Sequence, residues 1–204
     1  MTSNGPVQAV PPAFLDALAA VRRSSCRREI HLQEIPAPAR LAPYALALSA
    51  DVHERLGRKA AAESAQPAEE LATGRFVLLH DPAGSALWDG TFRIVTYIRA
   101  RMEPEMGNDT MLGSVAWTWL LDALNESNAS YRQAGGTTTR VLSESYGTLS
   151  ERSETIDIEL RASWTPGDHD ISTHLEAWAD MVCTFAGLPP LPSGVTALPH
   201  RRLS

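Results

Sequence analysis

Hydrophobic positions recur along this chain at two spacings, three to four residues apart and every second residue, and the switches between them predict the elements. Phe14, Leu15, Leu18 and Val21 form an apolar stripe that starts at Pro12 and is followed by Arg22 and Arg23, so a docked helix with a favourable C-terminal charge is expected. Residues 1–11 are small, polar and interrupted by proline, which suits a flexible lead-in. From Arg28 to Ile35 the apolar Ile30 and Leu32 alternate with polar neighbours, predicting a strand that ends at Pro36-Ala37-Pro38. The run 43–52 alternates like a strand, while Pro43 and its alanines suit a helix; the strand is preferred. Residues 53–72 are rich in Ala and Glu and read as a surface connection with some helix.

The patterning sharpens from residue 75 onward. A buried strand over 75–80 runs into the turn sequence Asp81-Pro82-Ala83-Gly84, and a second strand follows at 91–101. In it Phe92, Ile94, Thr96 and Ile98 share one face, and Arg93, Val95, Tyr97, Arg99 and Arg101 share the other. Leu112, Val115, Ala116, Trp119, Leu120, Ala123 and Leu124 recur at helical spacing over 111–126. Gly135-Gly136 is expected to break the chain before a Thr-rich strand at 137–147. At 155–164 the residues Ile156, Ile158, Leu160, Ala162 and Trp164 alternate strictly with polar ones, giving one dry and one wet face. The last helix has Asp170 as its N-cap and Ile171, Leu175, Trp178, Val182 and Phe185 as its stripe, and it stops at Gly187 before Pro189 and Pro190.

The expected order is therefore α-β-β-β-α-β-β-α. It predicts an α+β domain over 12–190, with an antiparallel sheet of about five strands, helices packed on one face, and a loosely packed tail at 191–204. At 204 residues one core is the default. A net charge of −6 opposes a general nucleic-acid partner, since the only basic clusters are Arg22, Arg23, Arg27 and Arg28, and Arg201 with Arg202. Cys26 and Cys183 have no metal-type spacing and read as reduced thiols of a cytoplasmic protein. The N-terminus lacks a signal-peptide pattern, and no apolar run approaches the ~18 residues needed to span a bilayer.

Six runs carry a resemblance: EIPAPARLAPYALALSADV (34–52), LATGRFVLLHDPAGSALWDGTFRIVTYIRA (71–100), VAWTWLLDAL (115–124), RASWTP (161–166), HLEAWADMVC (174–183) and AGLPPLPSGV (186–195). Through them most of residues 12–202 resembles an actinobacterial family known as domain of unknown function number three thousand. That resemblance implies no activity, cofactor or catalytic residue. The element order separately resembles the type III secretion chaperone-like fold, which includes the YbjN-type proteins and implies dimers that bind proteins.

Candidate chemistry is sparse. His80, Asp81 and Asp89 lie in the glycine-containing stretch 80–90, which borders a ligand pocket in one reading and is an ordinary hairpin turn in the other. His174 and Glu176 are two residues apart on a helix and so face different ways, and His169 completes no ligand set. Gly135-Gly136 before Thr137, Thr138 and Thr139 lacks the lysine and the helix of a phosphate loop. No nucleophile elbow occurs, and no cofactor is expected. Two contact surfaces remain. Trp117 and Leu121 flank the main stripe of the 111–126 helix as a partner or dimer patch, and Arg93, Arg99 and Arg161 stand beside Glu159 on the wet sheet face as an anion site or a solvated, paired face. The expectation is a non-enzymatic chaperone-like or adaptor protein that binds a protein partner as a homodimer. A small-ligand binder or enzyme using the 80–90 loop is the rival.

Overall fold

The computed structural model describes residues 9–38, 40–53, 70–168 and 170–188. Among these residues three helices, α1 (Pro12–Arg23), α2 (Leu112–Glu126) and α3 (Ile171–Phe185), accompany six strands: β1 (Ile30–Ile35), β2 (Tyr44–His53), β3 (Glu70–Ser85), β4 (Gly90–Met102), β5 (Tyr131–Ser143) and β6 (Thr155–Pro166). A single helical turn, Pro104–Gly107, precedes α2. The fold is α+β, as the alternating stripes predict. Both uncertain runs near the start are strands, so the sheet has six strands rather than about five, and four of them precede α2. Most of the 53–72 connection, His169 and the 191–204 tail lie outside the described residues.

All neighbours in the sheet are antiparallel and their order is β1-β2-β3-β4-β6-β5. The one departure from sequence order is at the end, where α2 carries the chain past the position of β6 to β5. β6 then returns between β4 and β5. Period two assigns the faces. One row of facing residues, Leu48, Phe76, Thr96, Ala162 and Gly136, crosses five strands, so all five side-chain positions point the same way.

That face carries all three helices. Phe14 of α1 stacks on His80, the indole of Trp178 in α3 lies over Gly74, and the indole of Trp117 in α2 lies over Gly136. Ile94, Ile98, Ile158, Leu160 and Trp164 from the sheet meet Leu120 and Leu124 of α2 and Leu175, Trp178 and Val182 of α3 in one continuous core. α3 is buried along most of its length because it packs between α1, α2 and the sheet. Its start is fixed by Asp170, whose carboxylate accepts the backbone N–H of Ser172 at 3.2 Å.

Gly135 and Gly136 do not end a segment before β5. Both lie inside it, next to a bulge between Arg132 and Gly135 where Gln133 takes a positive φ of 52°. Gly136 is required there by close approach, since a Cβ would stand 2.6 Å from the Arg161 carbonyl and 2.8 Å from Trp117.

Candidate functional site

The hairpin between β3 and β4 separates the residues that the sequence groups at 80–90. His80 is the last inward-facing residue of β3 and is 2% exposed. Its ring stacks on Phe92 at 4.2 Å between centroids and lies parallel to Phe14 at 5.8 Å. Its Nδ1 is 3.0 Å from the Thr91 carbonyl, and burial holds its pKa below the ordinary histidine value despite that bond and nearby Asp81. Asp81 turns outward and caps the hairpin by accepting the Ala83 N–H at 3.0 Å. Asp89 sits at a positive φ of 54°, and its carbonyl accepts two N–H groups of Arg132 at 2.9 and 2.6 Å. The three residues thus do three structural tasks on three sides of the turn. Beside the hairpin, Arg40, Leu41, Asp81, Leu87 and Trp88 line a hollow of about 610 Å³.

The arginines on the other face of the sheet are engaged within it. Arg93 donates to the Gln133 carbonyl at 2.9 Å, Thr165 Oγ1 at 3.1 Å and Ser163 Oγ at 2.7 Å, tying β4 to the two strands beyond it. Arg99 meets Asp157 at 2.8 Å, and that bond raises the guanidinium's affinity for its proton. Arg161 meets Glu159 at 2.6 Å and lies over the Tyr97 ring, whose hydroxyl donates to the same carboxylate at 3.0 Å. Burial, and then this hydrogen bond, raise the Tyr97 pKa. Arg99 and Arg161 are therefore paired with carboxylates and Arg93 with neutral oxygens, rather than forming a convergent cluster of cations.

The third region is where β5 forms the sheet edge. Trp117 is half-buried over Gly136, and Leu121 is half-buried one turn further along α2. Further along the same strand β5 exposes Val141 and Leu142, the latter 55% exposed, and the chain continues through exposed Tyr146 and Leu149. In the sequence Val141, Leu142 and Tyr146 fall within the Thr-rich strand expected at 137–147, where nothing marks that the strand pairs on only one side. Their signal is an apolar pair at the end of a nearly uncharged strand.

The description "Protein of unknown function (DUF3000)" belongs to a family model that matches residues 10–196. The chain is a member of the DUF3000 family. No curated protein and no solved structure matches it.

Among the described residues no three His, Cys, Asp or Glu side chains come together as a metal-binding group. Cys26 and Cys183 are free thiols, each pushed up to about 12, chiefly by burial, so neither is an activated nucleophile. His174 is fully buried and accepts the Trp164 indole N–H on Nδ1 at 3.1 Å. An indole nitrogen only donates, so the imidazole is neutral with its proton on Nε2. Burial lowers its pKa to about 4 even though Asp168 and Asp170 are nearby. Two cavities flank Trp119 in this DUF3000 fold. One of about 420 Å³ is lined by Met102, Met106 and Phe185, and the other, of about 510 Å³, by Arg27, Asp122, Glu126 and Asp180. No helix is long and apolar enough to cross a membrane among the described residues.

Proposed function

We propose that the protein is a non-enzymatic adaptor with a chaperone-like role, acting as a homodimer that holds a protein partner in the cytoplasm. The observation that carries this reading is the β5 edge and the segment after it, where Val141, Leu142, Tyr146 and Leu149 are exposed. Exposed apolar groups along an unpaired strand edge favour association with another protein surface. The polar residues that a catalyst would need are committed elsewhere: His80 is in the core and Arg93, Arg99 and Arg161 are bonded within the sheet. The element order expected from the sequence, similar to the type III secretion chaperone-like fold, adds support by analogy although the observed sheet has one strand more before α2, and the two free thiols fit a reducing compartment.

Light scattering tests the reading. At ~50 μM, a concentration at which a standard interface is largely occupied, the expected mass is twice the 22.1 kDa of the chain. A strict monomer would overturn it.

A second reading has one observation in its favour, the hollow between the hairpin tip and residues 40–43, with Asp81 and Trp88 in its wall. A small polar ligand held there would raise the melting temperature in a thermal-shift screen of metabolites, and Asp81→Ala would abolish the shift. A full shift retained by that variant removes Asp81 from any such site.

A further inference from the structure

We propose that β5 is the seam of the dimer: two copies pair their β5 strands antiparallel about a two-fold axis through Thr138, joining two sheets into one. The inference deepens the adaptor reading above and rests on it.

A strand at the edge of a sheet offers a row of unpaired N–H and C=O groups, and soluble proteins guard such rows with brevity, charge or proline. The two edges of this sheet differ in that respect. β1 is six residues long, exposes His31, Gln33 and Glu34, and runs into Pro36. β5 is thirteen residues long, contains no proline, and between Gln133 and Ser143 carries one charge, Arg140. That charge is drawn onto the helix side, where Nη1 donates to the carbonyls of Asp109 at 3.0 Å and Gly107 at 3.4 Å. Nothing on the β5 edge repels a second β5.

Self-complementarity selects the register. A two-fold axis between antiparallel strands must pass through a residue that faces itself. An axis through Arg140 would set like charges directly opposite, which is unfavourable. An axis through Thr138 sets each Arg140 opposite Gly136, so the two arginines are ~13 Å apart along the strand, beyond the screening length of ~8 Å. It also sets Thr137 against Thr139 and the exposed Val141 against Gly135, beside whose Cα nothing lies within 4 Å of a Cβ position. A branched side chain thereby covers bare backbone on the open face. On the helix face Leu142 of one copy comes alongside the Gly136 end of the other, beneath Trp117 and next to Leu121. Beyond Gly135 the bulge shifts the count by one, so Ser143 comes opposite Arg132 and Glu144 opposite Tyr131, while Arg132 stays engaged with the Asp89 carbonyl and with its carboxylate at 3.2 Å. Between Gly135 and Ser143 the seam then holds no charge but the two separated Arg140 side chains.

Cysteine placement tests the register. Directly opposed Cα atoms in antiparallel strands are ~4.5–5.5 Å apart, within reach of a disulfide. In a Cys26→Ser background, Thr138→Cys should cross-link to twice the chain mass on mild oxidation. Val141→Cys, ~20 Å from its own copy in this register, should not. The double variant Val141→Lys/Leu142→Lys alters two exposed positions, so it should keep the wild-type melting profile while weakening self-association at least tenfold. A wild-type dimer that survives the double lysine variant, or that cross-links through Val141→Cys as readily as through Thr138→Cys, overturns the β5 seam and leaves the dimeric adaptor standing. A monomeric wild type overturns both.

Discussion

His174 shows how a titratable residue can serve the core alone. Its Nδ1 is saturated by the Trp164 indole and its Nε2 has no hydrogen-bond partner among the described residues. The ring is therefore costly to protonate in the folded state. With a folded pKa of about 4 against about 6.5 when unfolded, protons bind the unfolded chain first as the pH falls. Stability is full above pH ~6.5 and declines toward pH ~4, by roughly 3 kcal/mol for this residue. Urea unfolding at steps between pH 7 and 4 should show that slope, and His174→Gln, which can still accept the indole N–H, should flatten it. Gly74 makes a second prediction at this scale. A Cβ there would stand 2.6 Å from Trp178 Cζ2 and 3.1 Å from Val182, both in the core. Gly74→Ala should cost roughly 1–3 kcal/mol by overpacking, read as a lower urea midpoint with an unchanged slope. Neither role was legible in the sequence. A histidine two residues before a glutamate and a glycine inside a strand acquire their meaning from partners ten and about a hundred residues away.

The elements themselves were largely legible, because each buries one face and the spacing of its apolar residues records which. α3 is the plainest case: Asp170 before Ile171 marks its start and the stripe to Phe185 marks its length, as observed. Asp170→Ala should therefore cost about 1 kcal/mol in chemical denaturation, and Asp170→Ser should recover most of it. β5 is the instructive departure. A glycine pair reads locally as a break, yet here the close approach of Trp117 and of the Arg161 carbonyl requires a residue without a side chain. β3 runs beyond 75–80 in both directions, to Glu70 and Ser85, because its neighbours continue alongside it. Periodicity records the face a residue occupies but carries no record of how far the next strand extends. For the same reason the sheet arginines were seen on the correct face while their partners, Asp157 for Arg99 and the Gln133 carbonyl for Arg93, were not.

At the scale of the molecule, the protein is a sheet with one dry side, one internally paired side and two unlike edges. Protection of backbone amides should follow that layout. Amides of β3 and β4, bonded on both sides beneath α3, should exchange at least about a hundredfold more slowly than those of β1, measured by mass spectrometry after deuterium exchange. The candidate surfaces were legible only in part, since exposure is a property of the assembled layers: α2 half-covers Trp117, and the single-sided pairing of β5 leaves Val141 and Leu142 bare. The strand order carries one more consequence. Because β6 lies between β4 and β5, a nascent chain leaving the ribosome delivers β5 before the strand it must pair with. Until residues 155–166 have emerged, β5 has no neighbour in its own chain, and the sheet closes by insertion rather than by addition at its margin. A pause that falls after residue 143 has left the ribosome but before 155–166 have done so would prolong that interval.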